Sequence, residues 1–150
     1  MSSKLIICYS SFNNYELLEH EVLRRVNFNN NTLINIDDHS TEKNFLYGQK
    51  LCKKNNIIFL KNNGKGVQSA VETCSKYCDE YLKECEWIFC LQQDFFPLGE
   101  NFFDNFESIV EKNNLGELGA LGFNCLDEDS KQSYTFNSYS NYLVDKNTKG

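Results

Sequence analysis

Four short apolar runs recur along the chain: KLIICY at residues 4–9, TLINI at 32–36, IIFL at 57–60 and WIFCL at 87–91. Continuous runs of this kind mark strands buried on both faces, as in parallel sheets. Between them the apolar period lengthens to that of a helix. Asn13 or Asn14 is placed to cap a first helix whose Leu18, Val22 and Val26 recur at i, i+4 and i+8. Residues 41–54 predict a second helix with Phe45, Leu46 and Leu51 inward. Residues 64–84 predict a third, with a stripe of Val67, Ala70, Val71, Cys74, Cys78, Leu82 and Cys85. Further on, the pattern predicts a helix at 101–112 and a strand at 118–123. Looser alternation at 134–144 suits a hairpin or an edge strand.

Strands alternating with helices predict an α/β fold, a three-layer α/β/α arrangement around a mostly parallel, doubly wound sheet with right-handed crossovers. No linker or repeat divides residues 1–150, so one domain is expected. In such sheets ligands sit beyond the carboxyl ends of the strands. The polar clusters that follow the four apolar runs are Ser10-Ser11-Phe12-Asn13, Asp37-Asp38-His39-Ser40, Asn62-Asn63-Gly64-Lys65-Gly66 and Gln92-Gln93-Asp94. All four are expected along one rim.

Each cluster suits a particular chemistry. Asp37 and Asp38 are acceptors for a base N–H or a ribose hydroxyl, and they repel phosphate at close range. Capping of the next helix by Asp38 or Ser40 is compatible with that role. Gly64 and Gly66 flank Lys65 just before a helix, where backbone N–H groups, the helix dipole and one full positive charge favour a diphosphate. The spacing is neither that of a P-loop nor that of the dinucleotide fingerprint. Asp94 at a strand end is the candidate ligand for Mg²⁺ or Mn²⁺, hard cations that are often shared with substrate phosphates. Gln92 and Gln93 could add a neutral oxygen or hold a sugar hydroxyl.

Composition narrows the classes. Fifteen basic residues against 21 acidic give a net charge of −6, which argues against a nucleic-acid partner. The N-terminal apolar run is shorter than the ~7–15 residues of a signal-peptide core or the ~20 of a membrane span. A cytoplasmic location is therefore expected, with any membrane association peripheral. The seven cysteines read as reduced thiols. Cys74, Cys78 and Cys85 fall on the apolar stripe of one helix and Cys90 in a strand. That distribution suits core thiols better than a zinc knuckle or a nucleophile paired with His20 or His39.

The four clusters, in this order, resemble the N-terminal half of an inverting family-2 glycosyltransferase of the GT-A fold. The P-T-Y-N-like turn of that family corresponds to Ser10-Ser11-Phe12-Asn13, its V-D-D-x-S to Ile36-Asp37-Asp38-His39-Ser40, and its N-x-G-K-G to Asn62-Asn63-Gly64-Lys65-Gly66. Its D-x-D or N-P-D corresponds in part to Gln92-Gln93-Asp94, with Pro97 following. The resemblance covers about residues 3–125. It implies a nucleotide-binding part at 1–98 and the start of an acceptor part at 99–150. Ser11 and Phe12 would then line the base pocket, with Ser10 among the nucleotide-sugar-binding residues, and Asp38 with Asp37 would bind the base or ribose. Lys65, Gln92 and Gln93 would lie close to the nucleotide sugar. Asp94 would hold Mn²⁺ or Mg²⁺ on the diphosphate and stabilise the leaving group.

The implied activity is transfer of a sugar from a UDP- or GDP-sugar to a glycan, lipid or protein acceptor. In the family the catalytic base lies well downstream of the D-x-D, whereas this sequence ends at Gly150. Asp127, in the cluster Asp127-Glu128-Asp129, is the candidate base here, although a solvated turn is the commoner role for such a cluster. The alternative is a truncated, non-catalytic module that binds the nucleotide sugar.

Overall fold

The computed structural model describes residues 5–93, 102–104, 106, 108, 124–126 and 133–135. The chain divides into two compact units, Met1–Asp104 and Asn105–Gly150. In the first, the elements run β1 (Leu5–Ser11), α1 (Tyr15–Leu17), a π-helical segment (Leu18–Val22), α2 (Leu23–Arg25), β2 (Thr32–Asp37) and α3 (Glu42–Lys54). They continue with β3 (Ile58–Lys61), α4 (Gly66–Tyr81) and β4 (Trp87–Gln92). In the second unit, β5 (Asn124–Leu126) pairs antiparallel with β6 (Ser133–Thr135). Asp94, Asp127, the strand expected at 118–123 and most of the helix expected at 101–112 lie outside the described residues. So does all but the start of the region expected at 134–144.

The first unit is α/β, with a four-stranded, all-parallel sheet in the order β3-β2-β1-β4. The chain steps outward from β1 to β3 and then returns to the far side of β1 to form β4. The strand order therefore reverses between β1 and β4, where α/β sheets open a crevice.

Side chains alternate across the strands, and the two faces take different partners. Ile6, Cys8, Ile34 and Ile36 pack with Ala70, Cys74 and Cys78 of α4, and Ile58, Leu60 and Ile88 extend that layer. Ile34 and Ile36 are fully buried, and each such side chain contributes roughly 1.5–3 kcal/mol of transfer free energy. The alternate positions meet the other helices. Phe59 lies against Tyr15 and Phe45, with ring centroids 6.2 and 5.1 Å away. Tyr9 meets Phe28 edge-on at 6.1 Å.

Helix α3 reaches Tyr15 only because it carries a glycine there. A Cβ on Gly48 would lie 2.4 Å from the Tyr15 ring.

Every strand runs further into polar sequence than its apolar run predicts. β1 continues through Ser10 and Ser11, β2 through Asp37, β3 through Lys61 and β4 through Gln92. The ladder is a backbone property, and the polar residues pair across it: Ser10 opposite Ile36 and Gln92, Ser11 opposite Asp37, Asp37 opposite Lys61. Ser10, Ser11, Asp37 and Gln92 are thus strand residues, where the sequence suggested loops.

The helices depart from expectation at their ends. The first is interrupted by a π turn, in which the Leu23 N–H bonds to the Leu18 carbonyl. It has ended by Val26, which is extended at φ −97° and ψ 123°. Leu18 and Val22 are buried as expected, whereas Val26 is only half-buried. Leu46 and Val67 are exposed, and the buried positions of α3 are Gly48, Leu51 and Cys52. Helix α4 stops at Tyr81, so Cys85 lies in the following turn, where its N–H bonds to the Leu82 carbonyl. Among the described residues, no helix is long and apolar enough to cross a membrane.

Candidate functional site

The carboxyl ends of the four parallel strands are tied together by hydrogen bonds between their loops. The Asp38 N–H bonds to the Ser11 carbonyl at 2.8 Å, and the Asn62 N–H to the Asp37 carbonyl at 2.8 Å. The Gln93 N–H bonds to the Ser10 carbonyl at 3.2 Å. All four polar clusters, as far as Gln93, therefore form one connected rim.

Beneath the rim lies a buried polar network that joins Ser11, Asp37 and Ser40 to Tyr15 and Asn35, two residues that neither spacing nor motif singled out. Tyr15 is fully buried, and Asn35 and Asp37 are 1% exposed. The Tyr15 hydroxyl donates to Asp37 Oδ2 at 2.6 Å and accepts from Asn35 Nδ2 at 3.3 Å. The Ser11 hydroxyl donates to Asn35 Oδ1 at 2.6 Å, and the Ser40 N–H to Asp37 Oδ1 at 3.1 Å. Asp37 is thus held below the surface with both oxygens engaged. Its one sequence signal was the placing of Asn35 and Asp37 two apart in an otherwise apolar strand, on one face.

Asp38 occupies a different environment. Its side chain is 21% exposed. Its oxygens accept from the Gly66 N–H at 3.1 and 3.0 Å and from Asn62 Nδ2 at 2.8 Å. His39 Nδ1 lies 3.6 Å away. Asp38 therefore bridges the loop after β2 to the start of α4. Asn62, only 3% exposed, is the hub of the loop after β3. Its Oδ1 accepts from the hydroxyls of Ser69 and Thr73 at 2.8 and 3.3 Å and from the Gly64 N–H at 3.3 Å.

The two loop glycines have separate causes. A Cβ on Gly64 would lie 2.4 Å from Ser69 Oγ, whereas Gly66 has open space but φ +80°. Lys65 between them is exposed and has no ion-pair partner among the described residues. The Lys65 side chain does not cap α4 and the first turn carries no acidic residue, but the Asp38 carboxylate takes the first N–H, that of Gly66.

The loop after β1 is shaped by Asn13 at φ 57° and the loop after β2 by His39 at φ 65°. Left-handed backbone is uncommon for such residues, His39 more so than Asn13, and it persists only where neighbours hold it. Here the loops interlock. The Asn13 N–H bonds to Ser40 Oγ at 2.9 Å, and Asn13 Oδ1 accepts from the Thr41 N–H at 2.8 Å.

Phe12 projects at the rim with 55% exposure. The Gln93 side chain grips its backbone from both sides. Gln93 Oε1 accepts from the Phe12 N–H at 3.1 Å, and Gln93 Nε2 donates to the Phe12 carbonyl at 3.0 Å. This bidentate clamp extends the β1–β4 pairing one step past the strands and fixes where the Phe12 ring stands. Ser10 is half-buried and Gln92 exposed at the mouth of the crevice. Asp94, the next residue, lies outside the described set, so the placement of the proposed metal ligand is not part of this geometry.

Among the described residues no group of three or more His, Cys, Asp or Glu side chains could hold a metal ion. The part-exposed rim carboxylate, Asp38, is already engaged by Gly66 and Asn62. The described rim alone does not make a divalent-cation site. What it offers is an exposed aromatic ring, a part-exposed carboxylate and an exposed lysine beside a helix N-terminus, along one rim.

Comparison of the chain with known families gives no match, and comparison with the curated proteins gives none either.

Proposed function

We propose that the chain is the donor-binding part of a GT-A glycosyltransferase and takes a nucleoside diphosphate sugar at the crevice between β1 and β4. The reading extends the α/β unit to a three-layer, doubly wound domain and assigns the activity as sugar transfer to an acceptor. The observation that carries it is the hydrogen-bonded rim, which ties four separate loops together along one sheet edge, with those after β1 and β4 flanking the point where the strand order reverses. Ligands of α/β sheets bind at such a reversal.

In this reading the base stacks on Phe12, whose position Gln93 fixes, and Asp38 accepts from the base or ribose with its remaining lone pairs. Ser10, Ser11 and Asp37 set the floor of the pocket. Gln92 faces the sugar. The diphosphate lies toward Lys65 and the N–H groups of α4 that follow Gly66, whose own N–H is held by Asp38. A divalent cation, when bound, would neutralise charge on the diphosphate, with Asp94 as its protein ligand. Asp127 remains the candidate base.

Calorimetry with UDP and with GDP, each with and without Mn²⁺, tests both parts. Expected is binding of one nucleotide, about tenfold tighter with Mn²⁺, or roughly 1.4 kcal/mol. Phe12→Ala should weaken binding in both settings, and Asp94→Ala should remove only the Mn²⁺ effect. Absence of binding by either nucleotide in any setting would sink the reading. Equal affinities with and without Mn²⁺ would remove the metal from it.

A further inference from the structure

Five of the seven cysteines form one row on the α4 side of the sheet, away from the rim. Cys8, Cys74 and Cys78 lie in one buried cluster with Cys85 packed against it, and Cys90 is the ladder neighbour of Cys8. All five are free thiols. The row is buried at Cys8, Cys74 and Cys78, half-buried at Cys85, and open to solvent at Cys90. Among the described residues these sulfurs do not group into a set that could hold a metal ion.

The strand register fixes which pair can join. Cys8 and Cys90 are direct neighbours across the β1–β4 ladder and lie on the same face. Adjacent strands run about 4.8 Å apart, inside the ~4.4–6.8 Å that separate the Cα atoms of a disulfide.

We propose that Cys90 is a site of thiol–disulfide exchange with low-molecular-weight disulfides of the glutathione type, with Cys8 as the resolving thiol. The Cys90 thiolate attacks one sulfur of the small disulfide. A Cys90–S bond forms, the small S–S bond breaks, and one small thiolate leaves and takes a proton from water. Cys8 then attacks the Cys90 sulfur. The Cys8–Cys90 bond forms, the mixed disulfide breaks, and the second small thiolate leaves. Two protein thiols are oxidised by two electrons, and one small disulfide is reduced to two thiols.

Cys8 is buried and Cys90 exposed, so Cys90 is the point of entry, and the Cys8 proton leaves with the second small thiolate.

The test treats the folded protein with oxidised glutathione, alkylates the remaining thiols, and reads intact mass and peptide maps. Wild type should give a Cys8–Cys90-linked peptide and no lasting adduct. Cys8→Ala should instead hold one glutathione on Cys90, and Cys90→Ser should give neither adduct nor link. Cys90 is exposed, so Cys90→Ser tests the entry step even if Cys8→Ala fails to fold. First modification at Cys85 or elsewhere, a link that survives Cys90→Ser, or a lasting Cys90 adduct in wild type would each overturn the proposal.

Discussion

Replacing Tyr15 by Phe removes one oxygen from the centre of the polar network and leaves the ring in place. The hydroxyl donates at 2.6 Å to Asp37 Oδ2, and donor and acceptor residues are both at most 1% exposed. Net hydrogen bonds to a charged group are worth about 1.5–3 kcal/mol when the partner is left buried. The weaker contact from Asn35 Nδ2, at 3.3 Å, is lost as well. A loss of about 2 kcal/mol follows, or roughly 4–8 °C in Tm at ~2–4 °C per kcal/mol. Urea unfolding of wild type, Tyr15→Phe, Asp37→Asn and the double variant separates the pair term from the two single losses.

Alkaline titration adds a signature. Burial first, and the Asp37 hydrogen bond second, push the Tyr15 phenol up from its ordinary value. The unfolded chain therefore loses that proton before the folded one does, and wild-type stability falls as pH rises above the unfolded phenol range. Tyr15→Phe should fall less steeply there. A stability loss under about 0.5 kcal/mol, in the range of ordinary surface changes, together with an unchanged alkaline slope, would refute the buried network.

Gly66→Ala should cost about 1–2 kcal/mol by urea unfolding, because φ is +80° although space is open. Gly64→Ala should cost about 1 kcal/mol, because Ser69 must rotate and give up its hydrogen bond to Asn62. Burial, then the nearby Asp37 charge, pushes the Cys52 thiol up to about 12. The unfolded thiol titrates near ~8.5, so wild-type stability should fall between those values, and Cys52→Ala should lack that slope when unfolding is compared at neutral and at about pH 10. Gln93→Ala should leave stability within about 0.5 kcal/mol but weaken nucleotide binding about tenfold by calorimetry, because Phe12 loses its clamp.

The strands of the first unit were legible because buried parallel strands leave continuous apolar runs, and KLIICY, TLINI and WIFCL have no competing period. Their ends were not, because ladder hydrogen bonds accept Ser11 or Asp37 as readily as Ile36. The π turn at Leu18–Val22 leaves no mark that separates it from an α-helical stripe. Leu18 and Val22 stay buried in either geometry, and only Val26 reveals the difference. Gly48 reads as a weak point in a helix until Tyr15 is seen against it. The gathering of the polar clusters at the rim followed from topology alone. The clamp of Gln93 on Phe12 did not, since it joins residues 81 apart in sequence through an orientation that sequence does not encode.

The adjacent aspartates show how strand geometry divides two residues that look equivalent in sequence. Asp37 is the last residue of β2 and shares its face with Asn35, opposite to Ile34 and Ile36. Its carboxylate is therefore carried under the loop, toward Tyr15 and Ser40. Asp38 has left the strand, and its carboxylate reaches Asn62 and Gly66 at the start of α4. Burying one carboxylate costs several kcal/mol, which the short Tyr15 bond and the Ser40 N–H offset in place. The loop after β2 is thus anchored from below by Asp37 and tied sideways by Asp38 to the loop after β3. Part of the Asp38 side chain stays open to solvent. A rim anchored in this way keeps its shape before any ligand arrives, which lowers the ordering cost of binding.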